Sequence, residues 1–283
     1  MSDIKVYTDP SAFWQEVAPH LRGDETRNSL CLGVSYALQN VPENCLYQSA
    51  LFDGAELEGA CLVCQNSESK SLLPSPVGSK EAAKALLEKL EATGVPYDCL
   101  IGDEATVAIY QQLLEATGRK TSVAMGQGVY SCSRVAMPKN PQGLGMRPAT
   151  AADADLVARW VEGFGQDALP PDLRANAAEY TQALLATTGV FLLERDGEAI
   201  SMAAPVRDIG TSCGITLIYT PKALRQHGYA SLLTAMLTQH FLDAGKREVS
   251  LFTDLANPTS NSIYKKIGYE FIGNATHLRV EAP

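Results

Sequence analysis

Apolar positions along this chain alternate between two spacings. Between residues 153 and 165, Leu156, Val157, Trp160, Val161 and Phe164 recur at helical intervals and share one face. Runs such as Val190-Phe191-Leu192-Leu193 and Ile215-Thr216-Leu217-Ile218 are short and rich in strand formers. Read in order, the second half predicts a strand at 146–150, helices at 153–165 and 175–186, and strands at 190–195 and 199–203. Asp196-Gly197 between those two strands marks a hairpin, because Asp-Gly supplies the φ > 0 its turn needs. A strand at 215–220 follows, then a helix from about 228 to 244 whose stripe is Leu232, Leu233, Met236, Leu237, His240 and Phe241. Gly245 stands where a helix-ending glycine belongs. After a strand at 249–253, Asn257-Pro258 suits an N-cap and first helical position. That helix ends at Gly268, and closing strands run from 269 to 280.

The first half repeats much of this order. Asp9-Pro10 opens a helix, Asp53-Gly54 sits between two strand-like runs, and Pro74-Ser75-Pro76 parallels Thr220-Pro221. A helix at 82–90 is closed by Gly94, and the strand Cys99-Leu100-Ile101 leads into a helix closed by Gly118. Gly94 to Gly118 is 24 positions and Gly245 to Gly268 is 23, whereas Pro76 to Gly94 is 18 against 24 from Pro221 to Gly245. The shortfall falls where the second half carries an extra loop. Met137-Pro138-Lys139-Asn140-Pro141-Gln142-Gly143-Leu144-Gly145, without apolar periodicity, reads as the linker. It separates domains at 1–138 and 146–283, and the shared order of elements points to a repeat.

Composition narrows the function classes. With 283 residues, 46% hydrophobic and 19% charged, the chain is long enough for two ordinary globular domains. A net charge of −9 argues against nucleic acid as a partner. Residues 222–279 are locally different, with seven Lys/Arg against four Asp/Glu. No apolar run approaches the ~18 residues of a membrane span, and no charged start precedes an apolar leader. Seven scattered cysteines, an odd number, suit a reduced, cytoplasmic protein with no membrane partner. Cys61 and Cys64, three apart in a strand, point to opposite faces and have no matching Cys or His pair, so no metal is expected.

The chemistry concentrates in Ile218-Tyr219-Thr220-Pro221-Lys222-Ala223-Leu224-Arg225-Gln226-His227-Gly228-Tyr229-Ala230. A strand, a turn and a helix start carry Arg-x-x-Gly-x-Ala, and the free N–H groups of a helix N-terminus attract anions. Gly228 permits close backbone approach, and Ala230 leaves room on the first turn. Further on, Asn257, Asn261 and Tyr264 are spaced i, i+4, i+7 and share one helix face. Together these two blocks resemble the signature of the GNAT superfamily of acetyl-CoA-dependent N-acetyltransferases, over about residues 146–280. The nearest likeness is to a two-domain type, with a degenerate N-terminal GNAT-like half and glycine-N-acyltransferase-like features in the C-terminal half. The resemblance implies an α/β (α+β) fold of tandem GNAT-like domains, each a mixed, mostly antiparallel central sheet flanked by helices. Gln226 departs from the family pattern, where many members have Gly, at what reads as the less constrained position.

The resemblance also implies roles. Ile218, Tyr219 and Thr220 would pair with the pantetheine arm of acetyl-CoA, and a backbone N–H there would face the thioester oxygen as it becomes negative. Arg225, Gln226, His227, Gly228, Tyr229 and Ala230 would surround the pyrophosphate; His227 reads equally as a solvent-exposed loop residue. Lys222, Lys265 and Lys266 would either meet the 3′-phosphate or stay solvated. Asn257 and Asn261 would line the far side of the arm, and Tyr264 would protonate the departing thiolate, unless it only packs in the core. Leu114 occupies the matching position of the first half. The strand at 215–220 offers no carboxylate as general base; Glu194 and Asp254 remain candidates, with a water chain or an already neutral amine as the alternatives, and Asp254 reads equally as orienting the loop before Asn257. The expected activity is acyl transfer to the amine of a small molecule, such as an amino acid or a polyamine, by a monomer or homodimer. A protein or peptide acceptor, or a non-catalytic acyl-CoA sensor, is the alternative.

Overall fold

The structure, a computed structural model, describes residues 3–65, 69–140, 143–256 and 258–281, the side chains of 258–261 excepted. Packing divides the chain into two compact units, Met1–Gly128 with Gly273–Pro283, and Val129–Ile272.

The first unit begins with β1 (Asp3–Val6), α1 (Pro10–Leu21) and α2 (Ser29–Leu38). Asp9 caps α1 by accepting from the Ser11 N–H at 2.9 Å, as Asp-Pro predicts. Strands β2 (Cys45–Asp53) and β3 (Glu56–Gln65) form the hairpin about Asp53-Gly54, followed by β4 (Lys70–Pro74), α3 (Lys80–Glu91), β5 (Cys99–Asp103) and α4 (Glu104–Ala116). Two long strands complete it: β6 (Thr121–Cys132), whose end belongs to the second unit, and the latter part of β12 (Glu270–Val280). The sheet order is β1-β2-β3-β4-β5-β12-β6. Neighbours from β1 to β4 are antiparallel, and β4–β5 is parallel. Leu72, Leu86, Leu90, Leu100, Tyr110 and Leu114 form the core between this sheet and α3 and α4.

The second unit adds to the end of β6 the elements β7 (Leu144–Pro148), α5 (Ala154–Ala168), α6 (Ala177–Ala186), β8 (Phe191–Arg195), β9 (Glu198–Val206), β10 (Ser212–Tyr219), α7 (Tyr229–Asp243), β11 (Glu248–Asp254) and α8 (Pro258–Lys266). Its order is β6-β11-β10-β9-β8-β7. Strands β7 to β10 form an antiparallel meander, and β10–β11 is parallel. The apolar stripe of α7 packs on one face through Leu232, Leu233, Leu237 and Phe241. Val157, Trp160 and Val161 of α5 and Leu184 of α6 cover the other. The expected fold, a mixed and mostly antiparallel sheet flanked by helices, is the one observed.

Three details differ from the sequence pattern. Helix α2 was not anticipated, because Ser29–Leu38 is apolar on most sides rather than on one stripe, and much of it is buried. The strand β6 was likewise missed; Gly126 and Gly128 interrupt its pattern. The closing segment is one continuous strand, β12, rather than several. Moreover, a cut at the linker alone would leave β12 whole in the second half. Instead Gly273–Pro283 packs with the first unit, because Ala275 to Arg279 pair antiparallel with Asp103 to Cys99.

Gly118 and Gly268 close corresponding helices, both at positive φ (88° and 105°), but they are not equivalent. A Cβ on Gly118 would meet nothing within 4 Å, whereas one on Gly268 would lie 2.4 Å from the Arg134 carbonyl oxygen. Gly118→Ala should therefore cost only the left-handed strain of about 1–2 kcal/mol. Gly268→Ala should cost more than about 4 kcal/mol, because backbone must move as well. Urea unfolding of the two variants checks this; equal losses would refute the packing at Gly268.

Candidate functional site

The site is built around a separation of strands. β10 and β11 pair in parallel from Ser212↔Glu248 to Ile215↔Leu251, and the register ends there. Both strands nevertheless continue, to Tyr219 and Asp254. On its other edge β10 pairs with β9 at Thr216↔Ala204 and resumes at Tyr219↔Met202, so three steps on β10 face two on β9. The extra residue is a bulge, and Leu217 within it has φ 53°. A left-handed conformation costs a residue with a Cβ about 1–2 kcal/mol. Burial offsets it: Leu217 and Tyr219 pack toward α5 and α6, while Ile218 packs toward α7 and α8. The bulge thus leaves the edge of β10 that faces β11 unpaired where the strands part.

The end of β10 is fixed from three sides. Ser201 Oγ donates to the Tyr219 carbonyl at 2.9 Å and lies 2.9 Å from Thr220 Oγ1. The Tyr219 ring sits 6.3 Å from Trp160, and its hydroxyl fills the space where a side chain on Gly163 would stand. Arg225 Nε donates to the Thr220 carbonyl at 2.9 Å. The rest of the Arg225 guanidinium pairs with Asp167 on α5, which Lys222 also meets at 3.1 Å. Arg225 beside it holds the Asp167 carboxyl below the usual carboxylate range. Arg225 therefore acts as a clamp on the turn, with its charge already partnered.

The loop itself carries open donors. The backbone N–H groups of Gln226, His227, Gly228, Tyr229, Ala230 and Ser231 have no backbone acceptor among the described residues. Gly228 is the N-cap of α7, at φ 79°, and provides no capping side chain. Gln226 has φ 69°. The position is therefore constrained, contrary to the sequence reading, and a glycine there would avoid the strain. His227 Nδ1 lies 2.8 Å from the Arg225 carbonyl, and its ring stacks on Tyr229, which Arg195 covers from 5.0 Å. Thus six N–H groups without a backbone acceptor gather at the positive end of α7.

The opposite wall holds Tyr264. It is 8% exposed in a cluster with Tyr130, Leu251, Ile267 and Tyr269, against which Ile218 packs. The Tyr264 of α8 and the Ile218 of β10 therefore meet in one cluster. Asn257 and the side chain of Asn261 lie outside the described residues.

The two carboxylates proposed as bases are otherwise engaged. Glu194 accepts from Arg147 Nε at 2.7 Å, and Arg147 also binds Asp153. On β8, it is separated from β10 by the whole of β9. Asp254 accepts from the Ala256 N–H at 2.8 Å and shapes the turn before α8. Among the described residues, no group of three or more His, Cys, Asp or Glu side chains is placed to hold a metal ion. Nor, among them, is any helix long and apolar enough to cross a membrane.

The corresponding place in the first unit is built differently: β4–β5 pairing also ends early, at Leu72↔Leu100, but β4 runs against β3 without a register shift. Ser79 Oγ accepts from the Ala82 N–H at 3.1 Å, so α3 caps its own N-terminus. Pro74 ends β4 and lies 3.5 Å from the point where a Cβ on Gly102 of β5 would stand. Leu114 is buried in the core.

One residue of the second unit answers to no motif. Arg207, at the end of β9, has φ 52° and stacks 4.6 Å from the Phe252 ring. Its Nε is enclosed without a hydrogen-bond partner among the described residues. Burial pulls its pKa down to about 10, an effect that Tyr180 of α6 partly opposes. Sequence spacing gives no signal for it, nor for Ser201, Asp167 or the bulge at Leu217.

A family model described as FR47-like protein matches residues 195–280. No curated protein matches the chain. Among solved structures, a Drosophila protein is similar over 98% of this chain and 98% of its own, at 14% identity and a TM-score of 0.72. A tandem GNAT protein from the clavulanic acid biosynthesis pathway is similar over 100% of this chain and 99% of its own (12% identity, TM-score 0.64). A GCN5-related N-acetyltransferase from Sphaerobacter thermophilus covers 98% and 95% (13% identity, TM-score 0.63). The likeness at these identities is one of fold, and the chain accordingly has the fold of the GNAT N-acetyltransferases, in tandem.

Proposed function

We propose that the second unit binds acetyl-CoA and transfers its acetyl group to the amine of a small molecule. One observation carries the reading: the parted strands β10 and β11 lead to a loop with six backbone N–H groups that have no backbone acceptor. That combination suits a long ligand with an extended arm at one end and a pyrophosphate at the other. The arm would lie along the free edge of β10, at Ile218, Tyr219 and Thr220, in the manner of a missing strand. The pyrophosphate would rest on the N–H groups of 226–231. Arg225 contributes by fixing the turn, since its guanidinium is spent on Thr220 and Asp167.

Acetyl-CoA supplies an activated acyl carbon and a thiol leaving group. A β10 backbone N–H at the opening would stabilise the carbonyl oxygen as it gains charge. The Tyr264 hydroxyl would give its proton to the departing sulfur. The amine must be neutral to attack. Glu194 is held by Arg147 and Asp254 by its own turn, so this reading assigns neither as the base. The proton leaves instead through water, or the amine arrives without it. The first unit, with a self-capped α3 and Leu114 in place of the tyrosine, takes no part in the chemistry.

Coenzyme A at 100 times its Kd should stabilise the protein by about 2.7 kcal/mol, read as a raised Tm. No shift at millimolar coenzyme A would sink the reading. Thiol release from acetyl-CoA should rise with some member of a small-amine panel; binding without release across amines and peptides would leave a sensor instead. Tyr264→Phe should lower kcat by roughly 10–10²-fold while the coenzyme A shift persists, and an unchanged kcat would remove Tyr264 from the chemistry.

A further inference from the structure

We infer that Arg207 anchors a carboxylate of the acyl acceptor, so that the acceptor is an amine that also carries an acid group. This rests on the acyl-transfer reading for the choice of substrate; the anion site itself rests on the structure of the second unit.

Arg207 has no ion pair and no side-chain hydrogen bond among the described residues, and its Nε is cut off from water. An unpaired guanidinium in that position is a costly arrangement, one that an anion would relieve. Three features hold it there. Phe252 of β11 lies under the guanidinium at 4.6 Å. Gly214 of β10 makes room above the sheet, where a Cβ would stand 3.1 Å from Arg207 Nη2. The backbone at Arg207 is itself left-handed, at φ 52°, a strain of the sort found where a site dictates the conformation. Arg207 as a residue nevertheless keeps partial exposure.

Its position ties it to the opening. Gly214 and Phe252 flank the last paired residues, Ile215 and Leu251, after which the strands part. From Gly214 to Thr216 is two residues along a strand, roughly 7 Å. One small molecule can therefore touch both Arg207 and the start of the opening. A single planar cation backed by an aromatic ring suits a carboxylate, which accepts two parallel N–H bonds. A phosphate site would gather several cations.

The test uses the full chain, acetyl-CoA, the common amino acids and their carboxamides. At least one amino acid should drive thiol release with a kcat/KM at least 30-fold above that of its carboxamide. Arg207→Met should abolish that preference, through KM for the acid, and leave KM for acetyl-CoA and the coenzyme A thermal shift unchanged. Arg207→Lys should restore part of it. Equal use of acids and amides, or an unaltered preference in Arg207→Met, would overturn the proposal. Should no amine support release, the acyl-transfer reading fails while the anion site is still decided by binding. N-acetyl amino acids should then raise the Tm of the wild type and not of Arg207→Met; no shift in the wild type would overturn the site as well.

Discussion

Strands β10 and β11 pair for four residues and then part, and the second unit is arranged around that parting. Parallel strands normally continue to pair while both remain extended. Here one extra residue in β10 turns the strand, and Leu217 takes a left-handed conformation to accommodate it. The cost, about 1–2 kcal/mol, is offset by burying Leu217 and Tyr219 against α5 and α6. Everything downstream follows from the direction in which β10 turns away from β11. Its end is held by Ser201, Trp160 and Arg225, the turn is held by Asp167, and α7 begins without a side-chain cap.

Strain is unevenly shared between the units. Among the described residues, the non-glycine residues with positive φ are Asp196, Arg207, Leu217 and Gln226, all in the second unit. Asp196 belongs to the hairpin turn. The other three lie at the strand end over Phe252, at the parting and in the loop. The first unit has the same order of elements without these conformations. Ser79 satisfies an N–H of α3 that the second unit leaves open at Gly228. A fold that appears twice in one chain thus shows what the site costs: two or three backbone distortions and an uncapped helix.

Much of this was legible in the sequence. Asp196-Gly197, Gly245 and Gly268 placed turns and helix ends, because their conformations depend on local chemistry. The periodic stripe of α7 and the Arg-x-x-Gly-x-Ala loop were legible for the same reason. What escaped were features that arise from packing between distant segments. Leu217 has no local reason to be left-handed; only β9 on one side and the cores on both faces impose it. Arg225 read as a phosphate ligand because its partner, Asp167, lies 58 positions away. Glu194 reads as a free carboxylate because its partner, Arg147, lies 47 positions away, whereas the turn that Asp254 shapes is local and legible. Helix α2 failed because a segment buried on several sides has no stripe.

The central claim is that coenzyme A binds the second unit and not the first. Amide hydrogen exchange with and without saturating coenzyme A tests it most directly, because the proposed contacts are backbone N–H groups. The account predicts slowed exchange at residues 226–231 and along 216–219, with residues 79–83 at the start of α3 unaffected. Slowed exchange at 79–83, or none at 226–231, would contradict it.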